Sequence, residues 1–216
     1  MEFKDAYQWV NVKFMLEGFL VTLEVAAASI ALSFLFGCLA GTLRYMKLPV
    51  VSPIAACLIE FVRNLPLLLI IFFTYFALPE IGLKLSVTQA AIAALTVFES
   101  AMIAEIVRGG LNSIPKGQIE ASRSSGLTAV QTLWHIVLPQ GLRRMVPPMV
   151  SQFISLLKDT SLAVIITLPE LMHNSNIVIG HYYASAIPIL LLAALMYFCV
   201  NYALSLVSRR LENRMV

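Results

Sequence analysis

From Val25 to Leu43 the chain runs for 19 residues without a charged side chain. Wound as a helix at about 1.5 Å per residue, that length is close to what crosses the ~30 Å of hydrocarbon in a bilayer. Such a segment narrows the possible folds sharply, because backbone N–H and C=O groups in lipid must be satisfied within their own helix. Similar runs recur. Apolar stretches over about 18–43, 54–78, 87–107, 145–168 and 187–207 predict five transmembrane helices, so the expected fold class is all-α and polytopic, a single membrane domain over 1–216. Composition agrees, with 59% of the 216 residues hydrophobic and 12% charged, against roughly 45–50% and 25% in soluble domains. A core of this size has no room for that much apolar surface, and the lipid bilayer must take the remainder.

Details inside the runs add expectations. Tyr7, Trp9 and Phe14 suit anchors at the membrane interface. The N-terminus mixes acids with bases and lacks a short apolar core before a cleavage site, so it is not read as a signal peptide. Gly37 and Gly41 form a small-x-x-x-small pair that predicts close helix approach. Pro66 should kink the second span. Pro147 and Pro148 are placed in the first turn of the fourth, where proline is tolerated. Residues 169–186, with Asn174, Asn176, Tyr182 and Tyr183, read as a solvated outer loop, contact with a solute receptor being the second reading. Cys38, Cys57 and Cys199 lie in apolar runs and read as small buried hydrophobes, and His135, His173 and His181 are too scattered for a metal site. No GxxxxGK[ST] occurs, so ATP is not expected to be cradled by this chain. The net charge of +3 gives no sign of a nucleic-acid partner.

The basic residues instead mark topology. With five spans, Arg44, Lys47, Arg108, Lys116, Arg123, Arg143, Arg144, Arg209, Arg210 and Arg214 share one side, against Lys4, Lys13 and Lys84 on the other. The positive side is cytoplasmic, which predicts an N-terminus outside and a C-terminus inside.

Between the third and fourth spans lies a polar, helix-prone stretch, 108–140, on that basic side. Ser113 can cap a helix with Pro115 in its first turn, Gly126 can end it, and Thr128 with Gln131 can open a second as a capping box. Leu138-Pro139 is expected to stop the second helix. A Cβ at position 126 is expected to clash. Leu127, Trp134 and Ile136 supply apolar surface that a bare loop would not expose. Glu120-Ala121-Ser122, then Gly126, then Ile136-Val137-Leu138-Pro139 stand at fixed intervals. This resembles the EAA loop of ABC importer permeases, with Ser122 where the family has Ala. The resemblance implies that the loop docks on a separate ATPase subunit through Glu120, Ala121, Ser122, Gly126, Ile136, Leu138 and Pro139.

Four ionisable groups fall within the spans, each costing roughly 2.5–3.5 kcal/mol on insertion scales. Counted from the cytoplasmic border at 1.5 Å per residue, Arg63 lies about 14 Å deep, Glu99 about 12 Å, Lys158 about 16 Å and Glu60 about 9 Å. They are expected to meet near the midplane. Two readings stay open together: neutralisation, with Glu99 paired to Arg63 and Lys158 to Asp159, and a polar cavity in which Arg63 or Lys158 faces the carboxylate of a zwitterionic solute. Glu105 and Arg108 read as a local helix pair.

Glu60-Phe61-Val62-Arg63-Asn64-Leu65-Pro66, Ala104-Glu105-Ile106-Val107-Arg108-Gly109-Gly110 and Leu157-Lys158-Asp159-Thr160-Ser161-Leu162 are similar to segments of polar amino acid importer permeases, the histidine/glutamine-type group. That resemblance implies a five-span subunit of the bacterial inner membrane, in a homodimer or beside a related permease. It implies two ATPase subunits, holding ATP and Mg, and an extracytoplasmic amino acid-binding protein. It marks Arg63, Glu99, Lys158, Asp159, Thr160, Ser161 and Glu60 as candidates for the substrate path, with no cofactor on this chain. The rival is a secondary transporter driven by an ion gradient, which explains the intramembrane charges but not a spaced two-helix loop. A non-transporting assembly factor explains the loop but not the charges. Ionophore sensitivity separates the first two, and any solute flux excludes the third.

Overall fold

A computed structural model describes residues 6–181 and 186–215, with side chains described through Arg210. Lys4, Tyr182 and Tyr183 lie outside the described residues, as does the side chain of Arg214. The described residues are almost entirely helical: α1 (Trp9–Tyr45), α2 (Val51–Arg63), α3 (Leu67–Phe72), α4 (Val87–Asn112), α5 (Lys116–Ser124), α6 (Ala129–Thr132), α7 (Leu138–Asp159), α8 (Leu171–His181) and α9 (Ala186–Met215). The expected all-α polytopic architecture is what the chain adopts.

The centre of the molecule is the pairing of α1 with α4. The buried positions of α1 are Met15, Gly18, Thr22, Val25, Ala26, Ser29, Ser33, Gly37 and Gly41, a stripe of mostly small side chains at three- and four-residue intervals. Lipid offers no hydrophobic force between helices, so association depends on close van der Waals packing, which small residues permit. A Cβ at Gly37 would stand 2.6 Å from Ile103 Cβ, and one at Gly41 2.5 Å from the Ala104 carbonyl oxygen. The expected close approach is therefore real. Bulky residues such as Leu35, Leu39, Leu195 and Phe198 point outward, where lipid is the solvent. Cys57 and Cys199 are exposed on such faces rather than buried, and Cys38 is half-buried. In a membrane protein an apolar side chain has no need of the core.

Helix α1 begins at Trp9, so Trp9 and Phe14, expected as interface anchors, belong to the same helix as the first span. The second span is broken. α2 and α3, which continues through a π turn (Phe73–Ala77) and a 3-10 turn (Leu78–Ile81), are bent by 101° at Asn64–Pro66. Pro66 adopts extended geometry, φ −61° and ψ 130°, and ends the helix rather than kinking it. Ile59 of α2 packs with Ala101 and Ala104, whereas Leu67 and Ile71 of α3 pack with Ala90, Ala91, Ala94 and Leu95. The two segments thus follow α4 from its C-terminal to its N-terminal half, as one broken crossing and not a re-entrant loop. Four long apolar helices plus this pair make five crossings among the described residues.

The fourth span departs most from expectation. From Ala129 to Ile166 the chain is one continuous helical rod, passing from α6 through a π turn (Leu133–Val137) into α7 and a 3-10 turn (Thr160–Ile166). Leu138-Pro139 does not stop it. Pro139 sits in the first turn of α7, where the register changes from π to α and a missing N–H is tolerated. Pro147 and Pro148 accordingly fall inside α7 and not in a first turn.

The outer segment is likewise more ordered than a solvated loop. α8 buries Leu171, Asn174, Ser175 and Val178. Asn174 Nδ2 donates to the Phe14 carbonyl at 2.7 Å, Tyr197 OH donates to Glu170 Oε2 at 3.1 Å, and the His173 N–H donates to Glu170 Oε1 at 2.7 Å. Glu170 is fully buried, and burial raises its pKa above the usual carboxylate range, against the lowering effect of these hydrogen bonds. Asn176 remains exposed.

Candidate functional site

Two features carry chemistry or mechanics: the two-helix loop between α4 and α7, and the polar residues within the spans. In the loop, α4 ends at Asn112, and Ser113 Oγ donates to the Gly110 carbonyl at 2.6 Å. Ser113 therefore closes α4 instead of opening α5, whose N-cap is Pro115 without a side-chain hydrogen bond. α5 ends in a Schellman turn: the Leu127 N–H donates to the Ser122 carbonyl at 3.2 Å and the Gly126 N–H to Arg123 at 3.1 Å. Gly126 takes φ +89° there, and an added Cβ would meet nothing within 4 Å. The expected clash is absent; left-handed backbone is the reason for glycine. Thr128 then opens α6 with the expected capping box, reciprocal with Gln131.

The loop is braced as a unit. The buried Ser122 hydroxyl lies 2.8 Å from the Ile119 carbonyl oxygen and 3.0 Å from the Thr132 hydroxyl. That contact crosses from α5 to α6 and accounts for a hydroxyl where the EAA pattern has Ala. Gln140 Nε2 donates to Gln118 Oε1 at 2.7 Å, and Arg144 donates to the Ser113 carbonyl. The first ties α5 to the rod of α7, and the second ties the end of α4 to the same rod. Glu120 and Ala121 are exposed, Ile136 and Leu138 half-buried, and Pro139 exposed. Val130 and Trp134 present apolar surface at 64% and 61% exposure, far more than a free-standing loop in water would show.

Within the spans, the charges do not meet at one depth. Arg63 Nη1 lies 3.6 Å from Glu60 Oε1 and 3.8 Å from Glu105 Oε2. Arg44 Nη1 donates to Glu105 Oε2 at 2.5 Å and Nη2 to Glu60 Oε1 at 3.1 Å. Arg108 forks onto both oxygens of Glu105 through Nε, at 3.1 and 3.0 Å, and through Nη2 to Oε1. Three guanidiniums thus surround two carboxylates and join α1, α2 and α4 just before the loop. Glu105 and Arg108 are more than the local pair expected. Arg63 misses Glu99 because α2 packs along the C-terminal half of α4, where Ile59 meets Ala101 and Ala104, which sets Arg63 against Glu105. Replacing Glu105 with Gln leaves three arginines to share Glu60. Loss of one partner from a partly buried ion cluster costs about 1–3 kcal/mol, and the unfolding midpoint in detergent should fall by about 3 °C or more. An unchanged melt would refute the cluster as a clamp.

Glu99 lies outside this cluster. It is 1% exposed; Gln152 Nε2 donates to its Oε2 at 3.2 Å, and its Oε1 has no hydrogen-bond partner among the described residues. The hydroxyls of Thr96 and Ser100, on the same face of α4, are also buried without hydrogen-bond partners among the described residues. Asp159 is near enough to act on Glu99 by its charge. Lys158 is exposed and forms no ion pair with Asp159 among the described residues, because adjacent helical residues diverge by about 100°. Thr160 Oγ1 and Ser161 Oγ donate to the carbonyls of Leu157 and Lys158 at 2.8 and 2.7 Å. The residue that sequence reasoning missed is Gln152. The signal was present: Gln152, Ser155 and Asp159 recur at three- and four-residue spacing, a polar stripe along an apolar helix.

A five-crossing helical unit with a braced EAA-type loop and a polar face on α4 and α7 is the architecture of an ABC importer permease. The family model for binding-protein-dependent transport system inner membrane components matches residues 33–216, and the chain belongs to that family. It is 66% identical over 216 residues to the probable glutamine ABC transporter permease protein GlnP of Bacillus subtilis (strain 168), covering 99% of each chain. It is 34% identical over 218 residues to the glutamine transport system permease protein GlnP of Escherichia coli (strain K12), covering 100% of this chain and 99% of that one. Among solved structures, an amino acid ABC transporter crystallised with histidines superimposes with a TM-score of 0.88 at 24% identity, covering 94% of each chain. The MetNI methionine ABC transporter in an inward-facing form gives 0.75 at 22%, covering 94% of this chain and 99% of that one. The chain is thus a multi-pass permease of the inner membrane, a transport subunit and not a catalyst. Such a permease works with ATPase subunits and a second permease chain.

Proposed function

We propose that this chain lines the translocation path for a polar amino acid and couples it to a pair of separate ATPase subunits that hold ATP and Mg. An extracytoplasmic binding protein would deliver the solute on the side of α8. The N-terminus faces out and the C-terminus the cytoplasm, as the distribution of Lys and Arg indicates. The observation that carries the coupling half is the braced loop: Glu120 and Ala121 are exposed on α5, which is hydrogen-bonded to α7, and α7 is hydrogen-bonded to the end of α4. Force on α5 passes through Gln118–Gln140 to α7, and Arg144–Ser113 carries it on to the end of α4, the other helix that bears the polar face. The arginine–glutamate cluster makes α1, α2 and α4 follow together. Closure of the ATPase pair would then switch the path between inward- and outward-facing states as a rigid-body motion.

The solute half rests on Glu99. A buried carboxylate with one oxygen unpaired among the described residues, hydrogen-bonded to Gln152, and the exposed cation Lys158 further along the helix that bears Gln152 offer both signs of charge to a zwitterion. The curated relatives are named for glutamine, whose α-ammonium would satisfy Glu99 and whose carboxylate would face Lys158. Arg63 and Glu60 belong to the cytoplasmic clamp in this reading, and Thr160 and Ser161 shape the turn beyond Asp159. The test is uptake of labelled glutamine by proteoliposomes holding the whole complex. A hydrogen bond to a charged group contributes about 1.5–3 kcal/mol, so Glu99→Gln should lower uptake roughly ten- to a hundredfold. The ATPase should still co-purify. Uptake within twofold of wild type would overturn this solute site, and collapse of uptake by an ionophore would favour the gradient-driven transporter.

A further inference from the structure

A cavity of about 570 Å³ lies between the α1–α2 turn and the loop helices, and neither coupling nor solute passage uses it. Its floor is apolar, with Leu111, Ile114 and Val130 among the residues that line it. Its polar lining includes Lys47, Lys116 and Arg123 and contains no carboxylate. Lys47 and Lys116 form no ion pair among the described residues. Lys116 also opens α5, which adds the positive end of a helix dipole to the same rim.

The place of the cavity in the fold says what it meets. Tyr45 ends α1 and Asn112 ends α4, a few residues past the ends of the apolar runs at about 43 and 107, so the cavity lies next to where both spans give way to polar sequence. Val130 and Trp134, one turn apart and exposed, continue the apolar surface outward from the cavity. Cationic rim, apolar floor and a position at the border of the cytoplasmic leaflet together match one kind of molecule, an anionic amphiphile. We propose that this cavity binds an anionic phospholipid, with the phosphate between Lys47, Lys116 and Arg123 and the upper acyl chain over Leu111, Ile114 and Val130.

The site is separate from the face assigned to the ATPase. Lys116, Ile119 and Arg123 share one side of α5, at three- and four-residue spacing, and line the cavity. Gly117, Glu120, Ala121 and Ser124 are exposed, and at 3.6 residues per turn they form another side. A bound lipid would thereby join the leaflet to the element that transmits movement. This goes beyond the transport reading, and lipid binding is measured without reference to uptake.

The experiment uses the purified permease–ATPase complex in nanodiscs of phosphatidylcholine, titrated with phosphatidylglycerol and read by native mass spectrometry. Each basic residue near an anionic headgroup is worth about 1 kcal/mol, so the double variant Lys47→Gln with Lys116→Gln should bind phosphatidylglycerol roughly 30-fold more weakly. Phosphatidylcholine retention should not change. Ala129→Phe, which fills the cavity without removing charge, should have the same effect and guards against a variant that merely misfolds. Equal retention of phosphatidylglycerol by wild type and both variants would overturn the proposal. So would displacement of the lipid by free glycerol phosphate at equal concentration, which would mark a site for the headgroup alone. Loss of the ATPase from the variants with lipid retention unchanged would overturn it in favour of the partner protein as occupant.

Discussion

Replacing Gly126 with valine should abolish ATP-driven uptake while leaving the spans folded. The position takes φ +89° at the end of α5, and nothing stands within 4 Å of an added Cβ. The penalty is therefore one of backbone conformation, about 1–3 kcal/mol for a β-branched side chain in the left-handed region. The chain escapes that strain by giving up the turn. The Leu127-to-Ser122 and Gly126-to-Arg123 hydrogen bonds are then lost, and with them the angle between α5 and α6 that sets Ser122 against Thr132. Gly126 itself is exposed and meets none of the packed residues of α1 and α4, so helicity by circular dichroism and elution from a sizing column should match wild type. Uptake in proteoliposomes should fall at least tenfold, as 1.4 kcal/mol or more of misalignment implies, and the ATPase should be recovered poorly in a pull-down. Gly126→Asn, which tolerates positive φ, should retain more activity than valine. Full uptake by the valine variant would show that the turn does not transmit force.

The second large effect is on folding itself. A leucine at Gly41 would place its Cβ 2.5 Å from the Ala104 carbonyl oxygen and 2.8 Å from Val107 Cβ. The first of these is backbone in the middle of α4 and has nowhere to go. α1 and α4 must separate along the stripe from Ser29 to Gly41, and in lipid no hydrophobic force draws them back. Overpacking of this kind costs about 1–3 kcal/mol or more, a large share of the roughly 5–15 kcal/mol that holds a domain together. Gly41→Leu should leave little monodisperse protein in fluorescence-detected size exclusion. Gly109, also helical, has open space at its Cβ position, so Gly109→Ala should be tolerated and slightly stabilising. Equal yields for the two variants would refute close packing as the basis of the core.

Much of the site was legible because its signals are local. The capping box of Thr128 and Gln131 and the left-handed turn at Gly126 each depend on residues within one helical turn, and the structure has both. The Gly37–Gly41 pair announced a tight interface without naming its partner, which is α4. Where expectation failed, the cause was geometry beyond a few residues. Proline at 139 reads as a stop in isolation, but a π turn immediately before it shifts the register so that the helix continues. Counting residues put Arg63 level with Glu99; the packing of α2 on the C-terminal half of α4 put it against Glu105 instead. Gln152 was passed over because an amide carries no charge to draw notice, although its spacing was visible.

The sequence by itself determined that this chain lives in lipid as a bundle of helices, that its basic loops share one side, and that a two-helix loop with the EAA spacing lies among them. These follow from hydrophobicity, period and turn chemistry, which act along the chain and need no partner. The tertiary structure alone decided which charges meet. Arg44, Glu60, Arg63, Glu105 and Arg108 come from three helices to form one cluster, while Glu99 finds only the amide of Gln152. Long-range pairing in a membrane is set by how closely helix backbones approach and where a span breaks, and neither can be read from the spacing of residues along one helix.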